Sequence, residues 1–215
     1  SRFTDRRVTG NLGSRPCSPS STLCFMGAVL LITGFGSFAG VQNNPSGELA
    51  RALGQRPDCE GCELPVTFLG APRELDRKLG ELAGQPRGIL CLGVHPGPSF
   101  RLEERAQGNF RGDRPDNDAV SASSLDLEGE IRSTTLDLAA LEAALRRAGA
   151  QEIEQSADAG AFVCEAIYRH ALWLGEKHKI PALFLHVPPA ELLPVPEQLP
   201  LVSGLVDEFL RQTGS

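Results

Sequence analysis

The chain has 215 residues, of which 41% are hydrophobic, and a formal net charge of −6. A chain of this length can bury a large core without disulfide bonds, and its scattered lysines and arginines argue against a nucleic-acid-binding protein. Its apolar runs stay shorter than the about 18 residues that a membrane-spanning helix needs, so no membrane partner is predicted either.

Residues 1–25 are rich in Ser, Arg, Gly and Pro and show no hydrophobic periodicity. We interpret them as a disordered or non-native extension ahead of Met26, the single methionine, and expect one domain over residues 26–215. A rival interpretation is a secretory signal, because "DRRVTG" precedes an apolar run at 23–32. That run continues directly into "TGFGSFAG", however, and no later segment could replace it as the first core strand.

The rest of the sequence alternates apolar runs with amphipathic segments, and this alternation predicts strands and helices in turn. The predicted strands cover residues 28–34, 62–70, 87–94, 151–156 and 180–188, with a short strand within 99–110. The predicted helices cover residues 44–55, 72–84, 133–150, 158–178 and 199–212. From 95 to 132 the pattern dissolves, and a loop of that length in a compact domain is usually functional or disordered.

This order of elements predicts an α/β fold: a single three-layer α/β/α domain in which helices cover both faces of a central twisted, mostly parallel sheet. In such sheets the reactive groups gather at the carboxyl ends of the strands. Three sequences occupy those ends, "TGFGSFAG", "AGAFVCEA" and "FLHVPP", and a fourth, "RLEERAQGN", lies beyond the third strand. These four stretches are the candidate parts of an active site.

The loop "TGFGSFAG" has the G-x-G-x-x-A spacing of a dinucleotide-binding turn. In that motif the helix begins within the glycines, and an acidic residue ends the next strand. Here the helix is predicted to begin at Pro45, past the spacer "VQNN", and the second strand ends in apolar residues. We therefore reject a nucleotide cofactor. The loop instead presents Phe35 and Phe38, which either cap the core or form an apolar wall for a small flat ligand.

Six cysteines occur at irregular spacing. Cys59 and Cys62 form a C-x-x-C pair, but no second pair of cysteines or histidines is placed to complete a zinc site. We expect both to be surface cysteines in a loop that enters the second strand. No metal site is predicted.

Cys164 lies at a predicted transition from strand to helix. It is either a small buried hydrophobic residue or a nucleophile whose pKa falls from about 8.5 to roughly 3.5–7.5 under the helix dipole and a nearby histidine. His186 follows four apolar residues at a strand end and is aimed at the same edge of the sheet. A Cys–His pair needs a third group to orient the imidazole, and Glu103 and Glu104 lie in that region. His95 remains open as a ligand contact.

Together these stretches resemble one family, pyroglutamyl peptidase I, whose cysteine peptidases remove N-terminal pyroglutamate. "TGFGSFAGVQNNPS" is similar to the family's T-G-F-x-P-F-G-G-x-x-x-N-P-S, and "LGVHPGPSFRLEERAQGN" to V-G-x-x-x-G-R-x-x-x-x-x-E-R-x-A-x-N. "RPDN" resembles R-I-P-D-N, "SADAGAFVCEAIY" resembles S-x-x-A-G-x-F-x-C-N-x-x-Y, and "FLHVP" resembles F-I-H-V-P. The five blocks keep the family's order, and the resemblance extends over residues 26–211.

The resemblance implies a catalytic triad of Cys164, His186 and Glu104. Glu104 is chosen over Glu103 because it precedes Arg105, as the family glutamate precedes an arginine. The implied substrate-binding residues are Phe35, Phe38, Asn44, Phe162 and Val94. The resemblance further implies hydrolysis of peptides with an N-terminal pyroglutamate through an acyl-enzyme, without a metal or organic cofactor, by a homotetramer or homodimer in the cytoplasm.

Several positions depart from the family pattern. Val94 stands in place of a glutamine, Pro98 in place of an arginine, and Glu165 in place of the asparagine after the cysteine. The loop before Arg114 is one residue shorter than the family's. These departures leave an alternative function open: a weakly active or non-catalytic protein that binds cyclic amides or peptide N-termini.

Overall fold

The computed structural model describes residues 28–38, 44–108, 112–125 and 129–214. The extension expected over residues 1–25 lies outside this part of the chain. No helix in the described ranges is long and apolar enough to cross a membrane.

Strands and helices alternate along the described chain. The strands are β1 (Val29–Phe35), β2 (Cys59–Leu64), β3 (Pro86–Val94), β4 (Phe100–Glu103), β5 (Arg105–Ala106), β6 (Arg132–Ser133), β7 (Ile153–Ser156) and β8 (Ala182–Val187). The α-helices are α1 (Pro45–Leu53), α2 (Gly70–Glu81), α3 (Leu138–Ala148), α4 (Val163–His178) and α5 (Val195–Gln212). A short 3₁₀ helix covers Ala122–Ser124.

The central sheet has six strands in the order β2-β1-β3-β8-β4-β7. The first four are parallel to one another, whereas β4 is antiparallel to β8 and parallel to β7. The mostly parallel sheet predicted from the sequence is confirmed. Because β1, β3 and β8 are parallel neighbours, their carboxyl ends lie side by side, and the residues that follow them meet at one edge. β5 and β6 form a separate two-stranded ribbon.

The sheet is covered on both faces, as its continuously apolar strands predict. Successive residues of a strand point to opposite faces. In β1, Leu31 joins the core beneath α2 and α4, whereas Leu30 and Ile32 join the core beneath α1, α3 and α5. The predicted three-layer arrangement follows from these two cores.

The second strand was predicted at 62–70, and this prediction is wrong: β2 runs from Cys59 to Leu64. Pro65 follows it directly and lacks the N–H that further pairing requires. Cys59 and Cys62, expected in a surface loop, are only 7% and 5% exposed and join opposite cores. Both are free thiols, and burial raises the pKa of each to about 12.

The turn-rich segment between β5 and β6 is anchored to the domain at Asp116. This buried carboxylate accepts hydrogen bonds from the backbone N–H of Phe68 at 2.7 Å and from those of Asp118 and Val120 at 2.9 Å. Backbone donors of this kind satisfy a carboxylate that has left water. The contact to Phe68 fixes the "RPDN" segment beside the start of α2 and places Arg114 near the sheet edge.

Candidate active site

Cys164 lies in the first turn of α4, and its Sγ packs against β3 at Gly93. A Cβ at Gly93 would come within 3.1 Å of that sulfur and within 2.6 Å of the Phe184 ring. The sulfur can therefore approach β3 only because residue 93 has no side chain. In the sheet, Gly93 is paired with His186 of β8, and neighbouring strands are about 4.8 Å apart. The predicted nucleophile and the predicted base thus occupy adjoining positions at one edge.

His186 is oriented by a buried carboxylate. Its Nδ1 lies 2.7 Å from Oε1 of Glu103, and the two residues are 5% and 0% exposed. A carboxylate accepts the Nδ1–H of the ring, which leaves Nε2 as the basic nitrogen. Arg101, which is paired with His186 across β4 and β8, places its Nε 3.9 Å from the same carboxylate oxygen.

The structure places Glu103, and not Glu104, against His186, so the prediction that Glu104 orients the imidazole is wrong in its geometry. Glu104 is exposed, its N–H donates to Ser156 at 2.6 Å, and its carbonyl accepts from Thr134 at 3.0 Å. Adjacent residues of an extended chain point to opposite sides, so only one acid of the pair can face the histidine. The motif E-R-x-A-x-N does not decide between them: its alanine matches Ala106 when the glutamate is Glu103, whereas its arginine and asparagine match Arg105 and Asn109 when the glutamate is Glu104.

The Cys164 thiol is protonated in this arrangement. Burial raises its pKa to about 12, and the negative charge of Glu103 contributes in the same direction. Of the two interpretations of Cys164 from the sequence, the one with a lowered pKa does not fit this environment, because burial outweighs the lowering effect of the backbone hydrogen bond at the start of α4. Ionisation of this thiol requires a partner that accepts its proton during the reaction.

A cavity of about 370 Å³ opens beside Cys164. All five residues predicted to bind substrate line it, namely Phe35, Phe38, Asn44, Phe162 and Val94. The cavity is also lined by four residues that the sequence did not point to, namely Val66, Pro96, Pro189 and Glu191. Pro96 and Pro189 follow shortly after β3 and β8, so the rule that ligands bind at carboxyl ends could have identified them.

The wall of the cavity is aromatic and carries one cation. The rings of Phe38 and Phe162 lie 5.1 Å apart between centroids, and Phe68 meets Phe162 edge-on at 5.5 Å. The guanidinium of Arg114 lies over the Phe38 and Phe162 rings at 4.5 and 4.6 Å. This distance suits a cation–π contact. The wall thus offers flat apolar faces beside a positively charged group.

Asn44 lines the cavity, but its amide is occupied by the protein itself. Its Oδ1 accepts from the N–H and the hydroxyl of Ser46 at 3.1 and 2.8 Å, and its Nδ2 donates to the carbonyl of Gly36 at 3.1 Å. These bonds cap α1 and hold the loop that carries Phe38. The side chain therefore shapes the cavity wall through the loop.

His95 was left open as a ligand contact, and it also lines the cavity. Its Nδ1 accepts the N–H of Gly97 at 3.2 Å, and its Nε2 lies 2.6 Å from the carbonyl of Ser99. Both ring nitrogens are thus used within the loop, and partial burial lowers the pKa of the ring. Neutral His95 therefore stabilises the conformation of this loop through its two hydrogen bonds. Its ring centroid lies 6.0 Å from that of His186. Among the described residues no cluster of His, Cys, Asp and Glu could hold a metal ion.

The sequence of this chain is similar to those of known peptidases. The sequence pattern of the pyroglutamyl peptidase family matches residues 28–200. A pyrrolidone-carboxylate peptidase of Streptococcus pyogenes is 30% identical over 170 residues, which cover 74% of this chain and 77% of that protein. Another from Streptococcus pneumoniae is 28% identical over 169 residues, with the same coverage.

Solved structures show the same fold. The pyrrolidone carboxyl peptidase of Thermococcus litoralis superposes with a TM-score of 0.78 at 22% identity, over 87% of this chain and 96% of that one. The enzyme of Pyrococcus furiosus superposes with a TM-score of 0.75 at 22% identity, over 86% of this chain and 99% of that one. At this identity the superpositions establish the architecture.

Proposed function

The chain belongs to the pyroglutamyl peptidase family, and we propose that it removes N-terminal pyroglutamyl residues from peptides by covalent catalysis. In this proposal Cys164 is the nucleophile, His186 is the acid and base, and Glu103 orients the imidazole. The observation that supports it most is the 2.7 Å contact between Nδ1 of His186 and Oε1 of Glu103. His186 is paired with Gly93 of the neighbouring strand β3, and the Cys164 sulfur packs against Gly93. An apolar cavity begins at that sulfur.

The reaction begins with transfer of the thiol proton. Because the Cys164 pKa is raised, we expect Nε2 of His186 to accept this proton as the sulfur attacks the pyroglutamyl carbonyl carbon. The C=O electron pair moves to oxygen, and the new imidazolium is stabilised by the Glu103 carboxylate. We expect the N–H groups of Val163 and Cys164, at the start of α4, to donate to the oxyanion, and each such donor contributes about 3 kcal/mol.

Collapse of the tetrahedral intermediate breaks the C–N bond. The imidazolium gives its proton to the departing amine, so the peptide leaves with a neutral amino group and a thioester remains on Cys164. His186 then takes a proton from water as the water oxygen attacks the thioester carbonyl. Release of pyroglutamate returns the proton to sulfur and restores the starting state.

The lining of the cavity suits this substrate. A pyroglutamyl group is a neutral five-membered lactam without a free amine, so it is recognised by apolar contacts and a few polar partners. Phe35, Phe38 and Phe162 supply the apolar faces, and Arg114 supplies a cation at the wall. A free amino-terminal residue would carry a positive charge, which Arg114 would oppose beside the Phe38 and Phe162 rings.

The test compares two arylamides with the wild-type chain and two variants. Pyroglutamyl arylamide should be hydrolysed, whereas prolyl arylamide, which has the same ring size but a charged amine, should not. Cys164→Ser should lower kcat by at least about a thousandfold, and Cys59→Ala, a matched change of a buried thiol on the opposite core, should leave it within about twofold. Full activity of Cys164→Ser would refute the nucleophile assignment.

The same experiment tests the alternative of a non-catalytic binding protein. Binding of pyroglutamyl peptides without release of the arylamine would support that alternative and overturn the peptidase. The homotetramer or homodimer and the cytoplasmic location implied by the resemblance stay predictions.

A further inference from the structure

Glu165 is a fully buried acid beside the nucleophile that the mechanism above does not use. It follows Cys164 in the first turn of α4 and is 0% exposed. Acidic side chains are almost never fully buried unless they are paired. Its Oε1 accepts the backbone N–H of Gln107, while Oε2 is buried without a hydrogen-bond partner among the described residues. This acid therefore has a backbone partner but no cationic one bonded to it.

The contact to Gln107 belongs to a row of bonds between α4 and the segment 103–108. The Tyr168 hydroxyl donates to the carbonyl of Glu103 at 2.7 Å, and the Arg169 guanidinium donates to the carbonyl of Gly108 at 3.3 Å. Positions 165, 168 and 169 lie on one face of the helix, because they are three and four residues apart. One helix face thus holds the segment that contains the acid bonded to His186.

This row fixes the direction of the nucleophile. Consecutive residues of a helix are turned by about 100° around its axis, so a bond that holds residue 165 against Gln107 also sets where residue 164 points. Cys164 points at Gly93, where the missing side chain leaves room for its sulfur next to the Phe184 ring. Glu165 and Cys164 are therefore oriented together, by one contact to the segment that follows β5 and another to β3.

We propose that Glu165 is a positioning residue: in its protonated form it holds the Cys164 turn and the Glu103 strand in their reactive arrangement, and its ionisation slows the reaction. Ionisation adds a buried negative charge to the helix turn that carries Cys164, in addition to the charge of Glu103, and makes the thiolate and the oxyanion less favourable. The inference rests on the proposed peptidase mechanism.

The surroundings of Glu165 favour its neutral form at ordinary pH. Burial raises the pKa of this carboxyl to about 8, and the negative charges of Asp158, in the loop before α4, and of Glu103 add to the rise. The Gln107 N–H and the Arg169 guanidinium act in the opposite direction. The charge on Glu165 should therefore change within the pH range in which a cysteine peptidase is assayed.

The decisive variant is Glu165→Gln, which keeps the length of the side chain and an acceptor for the Gln107 N–H but cannot ionise. At pH 7 its kcat should lie within about twofold of wild type, and above pH 8 it should hold its kcat where wild type declines. Glu176→Gln, which removes an exposed acid on the same helix, should follow wild type. Glu165→Ala leaves the Gln107 N–H without an acceptor and should lower kcat about tenfold with KM nearly unchanged.

A second readout does not depend on peptidase turnover. The rate at which iodoacetamide alkylates Cys164, followed by peptide mass spectrometry, should be similar in wild type and Glu165→Gln at pH 6.5. Above pH 8 wild type should react several-fold more slowly than Glu165→Gln at the same pH, because the ionised Glu165 raises the pKa of the thiol. The same alkaline behaviour in both proteins would overturn the proposal, even if the chain hydrolysed no pyroglutamyl substrate. If Glu165→Ala does not fold, the comparison of Glu165→Gln with wild type decides.

Discussion

Replacement of Glu103 by Gln tests which acid of the adjacent pair serves catalysis. The variant keeps the shape of the side chain and an acceptor for Nδ1–H of His186, but it removes the negative charge that stabilises the imidazolium. Oε1 and Nδ1 are 2.7 Å apart, and both residues are buried. A hydrogen bond to a charged group contributes about 1.5–3 kcal/mol, and two unit charges whose centres are about 4 Å apart interact by about 4 kcal/mol at an effective dielectric constant near 20. We therefore expect kcat/KM to fall by about 10²–10³-fold.

The assay is steady-state hydrolysis of a pyroglutamyl arylamide by Glu103→Gln and Glu104→Gln, with thermal unfolding as a check on folding. Glu104 is exposed, and only its backbone is hydrogen-bonded in the structure, so its variant should stay within about twofold of wild type. The reverse order, with loss in Glu104→Gln and full activity in Glu103→Gln, would refute the assignment of the third catalytic residue.

Two further predictions follow from the same geometry. Gly93→Ala would bring a Cβ within 3.1 Å of the Cys164 sulfur and 2.6 Å of the Phe184 ring, so activity should fall at least tenfold, because displacements of about 1 Å can cost about a hundredfold. Gly80→Ala, with open space around the added carbon, should leave activity unchanged; an equal loss in both would contradict this reasoning. The pKa of Glu165 in the folded protein is raised to about 8, so the folded protein holds this proton more tightly than the unfolded chain. The resulting stabilisation is fully present below the unfolded pKa and is lost as pH rises towards 8, by up to about 1.4 kcal/mol per pH unit. Glu165→Gln should reduce that loss in urea unfolding measured between pH 5 and pH 8, and an unchanged loss would refute the raised pKa.

Most of the fold could be predicted because its signals are local. The runs that became β1, β3 and β8 are mostly apolar, and α3 ends at the predicted glycine stop, Gly149, although it begins after its N-cap Asp137 and not at residue 133. The second strand was misplaced because "PVTFLG" looks like a strand, whereas β2 contains only "CEGCEL". That segment pairs with β1 through its backbone, and the burial of its cysteines comes from the helices packed above and below the sheet.

The sequence indicated which elements meet at the candidate site, but not which acid contacts the histidine or how far the thiol is buried. Cys164 and His186 could be identified from their positions at predicted element boundaries and from the family blocks. The choice between Glu103 and Glu104 depends on which of them points to the same face of the sheet as His186, and that is set by the register of an antiparallel pairing that the sequence did not reveal. Likewise, the raised pKa of Cys164 arises from tertiary burial, which no local motif reports.

The central claim is that Cys164 forms a thioester with the pyroglutamyl group. An activated pyroglutamyl ester should be mixed with the protein, quenched in acid within the first turnover, and examined by intact-protein and peptide mass spectrometry. We expect a mass gain of one pyroglutamyl group on the peptide that contains Cys164, and no gain in Cys164→Ala. Turnover without any adduct, or an adduct carried by another residue, would contradict it.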